Sequence, residues 1–496
     1  MMPTAGLFML ATVAILMIAT GLPAWMLLIG VALLFSLGGL AAGAFTLPLL
    51  TAMPARLLGL LEQDLLQALP LYVLMGAMLN RLPLAEILFR VANRVFSGGR
   101  ATGAGMPLAG LGLGVLLAPM NGSVGAGVAM LTRAVQPKLD AAGMPPERSA
   151  ALTCMASTLG VVIPPSLVLI LLGDAMLRAH TEAANASGPL REGARIINTQ
   201  DVFHGALVPA ALVLALCALI AWIIGRTKPL NPAAVLPAGI HAGPNAATPI
   251  AAGDWGLAVA TSAFIIALLA AVALGYLYAV EAAATGGVAL FLLGLATRTL
   301  TRPLLTEILR DTMAVTGALF ALLIAATMFT LVVRAFGTDR WIAAQLQGFA
   351  NHPRLLLFIV LAVLGACAFV LDAFEMIFVV IPLVIPPLLM QIPDAVWVAV
   401  LTLLILQTSF LIPPFGYAVM MVRNRSAHHL HTGRLVRALL PWLAAQLLVL
   451  AAVLVWPGML WRDNALSAGP APAAPAAGAE TLEEMLDRQQ APQEPK

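Results

Sequence analysis

The sequence predicts an all-α polytopic membrane protein made of two repeated halves. Three observations carry that prediction. The composition is too apolar for a water-soluble chain, apolar runs of membrane-spanning length recur from end to end, and a pair of polar motifs returns at one spacing in each half. The 496 residues are 61% hydrophobic and 10% charged, with a mean hydropathy of +0.97. Runs near or above the ~20 residues that a helix needs to cross a bilayer include Gly6–Ala19, Leu207–Ile224, Gly256–Val280, Leu355–Val370 and Leu439–Trp456. Helices are expected because lipid cannot satisfy free backbone groups, and the period-2 alternation of a membrane barrel is absent. Roughly a dozen spans or intramembrane segments fit this length.

Taken in order, the opening "MMPTAGLFMLATVAILMIATG" is a first span; it lacks the basic stretch of a cleaved signal peptide. Residues 1–225 form a first transmembrane half. Within it, Arg178–Gln200 is mixed in charge and poor in helix-favouring pattern, and is expected as an extramembrane loop. Residues 226–254 are rich in Pro, Ala and Gly and are expected as a linker. A second transmembrane half follows at 255–462, then a low-complexity tail at 463–496 in which "ETLEEMLDRQQ" is able to form one short helix.

Charge excludes some functions. The net charge of +3 does not point to nucleic acid. Basic residues gather in short polar gaps, at Arg90, Arg94 and Arg100, at Arg226 and Lys228, at Arg298, Arg302 and Arg310, and at Arg423, Arg425, Arg434 and Arg437. Cytoplasmic loops look like this, but sequence alone leaves the orientation open. Cys154, Cys217 and Cys367 lie inside apolar segments and are expected as small core residues, not as a disulfide framework or metal site. The cluster "HHLH" at His428–His431 follows Arg423 and Arg425 and is expected in a solvated loop. No transition-metal site and no cofactor is expected.

The repeat is where chemistry concentrates. "APMNGSVGAG" (Ala118–Gly127) and "STLGVVIPPS" (Ser157–Ser166) lie in the first half; "VLDAFEMIF" (Val370–Phe378) and "LQTSFLIPPFG" (Leu406–Gly416) lie in the second. Ser123 stands 41 positions before Pro164, and Asp372 stands 41 before Pro413. A proline has no N–H, so the carbonyl four residues earlier loses its helical partner. Pro164 and Pro165 free the carbonyls of Gly160 and Val161; Pro413 and Pro414 free those of Ser409 and Phe410. Ser157 and Thr158, and Thr408 and Ser409, add hydroxyls beside them. Such hard oxygen ligands suit a small alkali cation. The plainer alternative is a kink whose carbonyls neighbouring helices satisfy.

The upstream motifs are helix starts. "NGS" at Asn121, Gly122 and Ser123 supplies a capping residue, and Asp372 with Glu375 has the capping-box spacing. A helix that begins inside a membrane aims free N–H groups and its positive dipole end at a cavity, which is a site for a carboxylate. Caps at the membrane surface would merely start ordinary helices. Asp372 is expected as a cation ligand, with capping as the alternative, and Glu375 as the structural partner that closes the box. Asp174, at the end of an apolar run, is expected at the interface.

These stretches, together with "LPLYVLMGAMLNR" (Leu69–Arg81), "VEAAATGG" (Val280–Gly287) and "LDAFEMIFVVIPLVIPPL" (Leu371–Leu388), resemble the large membrane subunit of tripartite ATP-independent periplasmic (TRAP) transporters over about residues 5–460. The linker and the second-half motifs are similar to the subgroup labelled mannitol/chloroaromatic. The resemblance implies a multi-pass protein of the bacterial inner membrane that imports organic acid anions by sodium-coupled, elevator-type transport. It implies two partner chains, a small four-helix membrane subunit and a periplasmic substrate-binding protein. It places re-entrant hairpin tips at Asn121–Ser123 and Asp372–Glu375, and discontinuous helices at Ser157–Pro165 and Thr408–Gly416. By that mapping Asn121, Gly122, Ser123, Asp372 and Ala373 touch substrate. Ser157, Thr158, Gly160, Val161, Pro164, Pro165, Asp372, Thr408, Ser409, Phe410, Pro413, Pro414 and Gly416 surround sodium. One departure is the "NGS" tip, where many members have a serine-rich one. A stand-alone carrier would need no partner chains. A membrane-embedded enzyme would need a convergent catalytic set, and no Ser/His/Asp arrangement stands in the spans.

Overall fold

In a computed structural model, residues 4–45, 51–62, 64–97, 105–187, 197–227, 252–349, 351–412, 416–426 and 429–460 are described. Most of them are helical. The first half contains α1 (Thr4–Thr20), α2 (Ala24–Ala41), α3 (Met53–Leu61), α4 (Asp64–Arg81), α5 (Leu84–Phe96), α6 (Gly105–Leu117), α7 (Val124–Ala134), α8 (Gln136–Ala141), α9 (Pro146–Val162), α10 (Leu167–Ser187) and α11 (Thr199–Thr227). The second contains α12 (Ala252–Ala273), α13 (Ala279–Ala296), α14 (Arg302–Ala335), α15 (Thr338–Gln347), α16 (Pro353–Cys367), α17 (Ala373–Gln391), α18 (Ala395–Ser409), α19 (Tyr417–Arg425) and α20 (Thr432–Val455). Among the described residues, eight helices are long and apolar enough to span a membrane, counting α9–α10 as one, and four shorter apolar helices join them.

Burial sorts these helices into a centre and a rim. Every residue of α9 from Ser149 to Val162 is buried, and so is all of α18 apart from Val396. α12 and α13 instead turn Val259, Ile266, Val288 and Leu292 outward, as helices facing lipid do. The two halves interlock within one compact unit, because α4 packs on α13 and α14, and α9 packs on α18, α19 and α20.

Polar contacts sort the helix ends onto two faces. Arg90 pairs with Asp254 at 3.0 Å, which joins α5 to the start of α12. Lys138 lies 5.1 Å over the ring of Phe89, joining α8 to α5. Gln136 donates to Ser426 at 2.9 Å, and Arg434 stands 3.7 Å from Glu147, so the end of α19 and the starts of α9 and α20 meet there too. Arg81 pairs with Asp311 at 2.6 Å and adds the end of α4 and the start of α14. Arg94, Arg298, Arg302, Arg423, Arg425 and Arg437 belong to this same face. On the other face Gln200 donates to the carbonyls of Val272 and Ala273, and the Trp397 indole donates to the Val453 carbonyl at 2.9 Å. Glu182, Asp201, Glu281 and Asp394 lie there. The positive-inside rule assigns the basic face to the cytoplasm. α1 begins opposite it, where Gly6 packs on Thr338.

With faces assigned, the internal order becomes clear. The helix pair α6–α7 starts and ends at the basic face, and the pair α16–α17 starts and ends at the other. Each is a hairpin followed by a broken helix, α9–α10 in one half and α18–α19 in the other, with opposite sense in the membrane. With 13 and 11 residues, α6 and α7 reach only about 20 and 16 Å, so neither arm crosses a hydrocarbon core of ~30 Å.

Three expectations change. Arg178–Gln200 is not a loop throughout: α10 continues to Ser187 and α11 starts at Thr199. Its alanines favour helix, and Arg178 pairs with Asp174 one turn back at 2.7 Å. The apolar run Gly256–Val280 is not one span, because α12 stops at Ala273, where Gly275 takes a left-handed φ of +79°. Within the linker, Arg226 is still helical and Asp254 already is. The linker centre at 228–251 and the tail lie outside the described residues, as do Pro413, Pro414 and His428.

The charge asymmetry makes a direct prediction. Single cysteines at Thr297 and Tyr276, at opposite ends of α13 and its preceding turn, are expected to react with an impermeant thiol reagent from opposite sides. Thr297→Cys should label only when the cytoplasmic face is opened, and Tyr276→Cys in intact cells.

Candidate functional site

The first tip is a tight turn held by glycines. After α6 the chain narrows through a 3-10 turn, Ala118–Asn121, and Gly122 takes φ +67°, a conformation open to glycine. Ser123 is extended and caps α7: its Oγ accepts the Ala126 N–H at 3.1 Å. α4 and α9 approach this turn through their own glycines. A Cβ on Gly76 would stand 2.4 Å from the Asn121 carbonyl oxygen, and one on Gly160 2.5 Å from the Ala118 carbonyl carbon. Asn121 is 3% exposed; among the described residues its Nδ2 reaches only the Met130 sulfur at 4.0 Å, and its Oδ1 has no partner.

The first break lies beside that tip. α9 stops at Val162, Ile163 is extended, and Pro164–Pro165 is a cis peptide. The hydroxyl of Ser166 donates to the Val161 carbonyl at 2.8 Å and accepts the Leu169 N–H at 3.1 Å. Of the two carbonyls that the prolines release, Val161 is thus partly occupied. Ser157 donates to the Cys154 carbonyl at 2.8 Å and Thr158 to that of Met155 at 3.0 Å. Gly122, Ser123, Ser157, Gly160, Val161 and Ser166 line one small cavity of about 10 Å³, room for about one water-sized species.

The second tip is the capping box. Asp372 Oδ1 accepts the N–H groups of Phe374 at 2.9 Å and Glu375 at 3.0 Å. Glu375 Oε2 accepts the N–H of Asp372 at 3.0 Å. Ala373 is fully buried. The helix then widens into a π turn, Met376–Val380, a feature frequent at functional sites. Glu375 also borders a cavity of about 480 Å³ between α1–α2 and α15–α17, but the remaining lining is apolar, with Leu10, Val13, Val360 and Leu383 among it. That chemistry suits hydrocarbon, not an ion.

The second break repeats the first with other donors. α18 ends at Ser409, and the Leu411 N–H bonds to the Thr408 carbonyl at 2.9 Å. The Phe410 carbonyl accepts the Ala418 N–H at 3.2 Å. Gly416 closes against it, since a Cβ there would stand 2.7 Å from the Phe410 oxygen. Thr408 donates to the Leu404 carbonyl and Ser409 to that of Leu406, each at 2.7 Å. The first turn of α17 packs on α18, which brings tip and break together in this half as well. Across the halves, the Tyr417 hydroxyl presses on Gly125 of α7, and the Cys154 thiol points at the Ala418 carbonyl, 3.7 Å away.

Several contributors were not singled out by sequence. Ser166 follows directly on the proline pair, where a hydroxyl readily serves a freed carbonyl. Gly76 and Tyr417 act across 40 residues or more of chain. Gln407 is fully buried, and among the described residues neither amide atom has a partner. It stands six positions before Pro413, as Thr158 stands six before Pro164, and that register was its signal.

Residues 11–459 match the family described as "Tripartite ATP-independent periplasmic transporter, DctM component". The chain belongs to this family. The C4-dicarboxylate TRAP transporter large permease protein DctM of Pseudomonas aeruginosa is 24% identical over 404 residues, 80% of this chain and 86% of its own. The sialic acid TRAP transporter large permease protein SiaM of Vibrio cholerae is 23% identical over 410 residues, 81% of this chain and 86% of its own. In fold, the chain is similar to the YdaH transporter of Alcanivorax borkumensis, with a TM-score of 0.57 at 19% identity, over 83% of this chain and 88% of that one. The chain is therefore a large TRAP permease subunit, a multi-pass inner-membrane transport protein and not an enzyme.

The glycine contacts make the tip testable. Gly160→Ala is expected to push tip 1 away from α9 and reduce uptake at least about tenfold, since overpacking costs on the order of 1–3 kcal/mol, with the subunit still inserted. Gly317→Ala, where a Cβ meets open space, should leave uptake unchanged.

Proposed function

We propose that this permease subunit couples import of an organic acid anion to sodium, with Na+ as its coupling ion and no other cofactor. The observation that supports this best is the direction of four hydroxyl groups. Ser157, Thr158, Thr408 and Ser409 each donate their hydrogen to a carbonyl of their own helix. What each hydroxyl has left is acceptor capacity. At the same two places the carbonyls of Gly160 and Ser409 lack a helical donor, because Pro164 and Pro413 have no N–H. Oxygen atoms with only lone pairs to offer suit a hard cation. Val161, Pro165, Phe410 and Gly416 shape the two breaks around them, and Pro414, like Pro413, brings no N–H.

The anion side is the pair of tips. α7 begins at Ser123 inside the protein, and α17 begins at Asp372. A helix start offers a positive dipole end and its uncapped N–H groups to a carboxylate; at α17 the capping box already takes those of Asp372, Phe374 and Glu375, so the first tip carries more of this role. Asn121, Gly122 and Ser123 fit this role at a neutral tip, and Ala373 lies beside Asp372 at the other. The carboxylate of Asp372 favours a cation next to it. Both relatives are named for carboxylic acids, C4-dicarboxylates and sialic acid, which supports an organic acid here. Opposed hairpins around a shared centre are consistent with elevator-type movement. The partners that fit a tripartite system are a small four-helix membrane subunit and a periplasmic binding protein that delivers the substrate.

Asp372 separates this reading from a purely structural one. Asn caps nearly as well as Asp, so Asp372→Asn is expected to cost about 1 kcal/mol or less in stability. In the reconstituted three-component system, half-saturating sodium for uptake should rise about tenfold or more, the loss of one charged ligand being worth at least ~1.4 kcal/mol. A well-folded Asp372→Asn protein with the wild-type sodium response would refute the ligand role. Robust, saturable uptake by this chain alone would refute the need for partners.

A further inference from the structure

α17 holds a proline pair, Pro386–Pro387, inside its helix. The Pro382 carbonyl would bond to the N–H of residue 386, and proline has none. That carbonyl, on a partly buried residue of an apolar arm, is left without its helical donor and takes another. It finds one in Arg334, near the end of α14, whose Nη2 stands 3.0 Å from the Pro382 oxygen. The same nitrogen donates to Glu182 of α10 at 2.9 Å. One guanidinium therefore joins α14, α10 and the second arm of hairpin 2. Arg334 lies on the face that carries few cations, and a charge kept in such a place is expected to have a specific partner.

We propose that Arg334 is a positioning residue for the transport site: it holds α17 in the rotation that presents the Asp372–Glu375 tip. The proposal rests on that tip being part of the site. Only the π turn at Met376–Val380 and Ile381 separate the tip from Pro382. Without the guanidinium, the Pro382 carbonyl is left unbonded and the arm is free to turn until another donor reaches it. The tip would turn with it. A lysine ammonium also offers several N–H donors from one nitrogen, so Arg334→Lys keeps both bonds within reach.

The proline itself supplies the test. Pro386→Ala restores an N–H at position 386, which takes over the Pro382 carbonyl and makes Arg334 dispensable there. Arg334→Met, Arg334→Lys, Pro386→Ala and the Arg334→Met/Pro386→Ala double variant are compared in the assembled three-component transporter. Two readouts are taken: hydrogen exchange of amides 371–380, and the half-saturating substrate concentration of uptake against its maximal rate. Arg334→Met is expected to raise tip exchange and half-saturation about tenfold, with a smaller change in maximal rate, as loss of a charge-assisted hydrogen bond allows. Arg334→Lys and Pro386→Ala alone should stay close to wild type, and the double variant should return to within about twofold of it. Should Arg334→Met fail to insert, Glu182→Gln loosens the guanidinium and is expected to raise tip exchange less, again reversed by Pro386→Ala. Unchanged tip exchange on losing Arg334, or no reversal by Pro386→Ala, overturns the proposal. Reversal in exchange with wild-type uptake throughout supports the pin and instead removes the tip from the transport site.

Discussion

A backbone carbonyl inside a bilayer has no water to bond, and each one that loses its helical donor must find another. Prolines place such carbonyls at several points along this chain, and at three of them a donor from outside the helical ladder meets one. The Ser166 hydroxyl serves Val161, the Ala418 N–H serves Phe410, and the Arg334 guanidinium serves Pro382. These donors come from three different sources, a neighbouring side chain, a returning backbone and a distant helix. At the two breaks the supply falls short, since Gly160 and Ser409 each stand four positions before a proline, which has no N–H to give. The nearby hydroxyls add acceptors there, not donors. In the proposed function a cation balances this cluster.

Close approach makes the cluster possible. Gly76 and Gly160 let α4 and α9 touch the backbone of the first tip, and Gly416 lets the second break fold against its own carbonyls. The first hairpin's arms are too short to cross a bilayer, and the two tips enter from opposite faces. Each face of the membrane thus has one hairpin leading to the centre, around two fully buried helices. Interlocking of the halves, α4 with α13 and α14, surrounds that centre with helices that turn apolar faces outward.

What sequence revealed, and what it did not, follows from the range of the interactions. The caps at Ser123 and Asp372 and the box closed by Glu375 were legible because each bond spans three residues or fewer. The stop at Val162 was legible because proline acts on its own helix. Pro386–Pro387 carries the same chemical signal, but its donor comes from Arg334, 48 residues before Pro382, and no local pattern announces that. The helix through Arg178–Ser187 was hidden by its mixed charge, which Asp174 and Arg334 answer in space. The opposed sense of the two hairpins was also illegible, since the basic gaps assign faces only once contacts such as Arg90–Asp254 show which helix ends meet.

The central claim is that the two helix breaks bind sodium. The most direct measurement is the thermal stability of the purified permease, with its small membrane subunit, in matched sodium, potassium and choline chloride. Binding to the folded state raises stability by mass action, about 2.7 kcal/mol at a hundredfold excess over the dissociation constant. The account predicts a saturable rise in melting temperature in sodium alone, lost when Pro164–Pro165 and Pro413–Pro414 are both replaced by alanines. Equal melting temperatures in the three salts would contradict it.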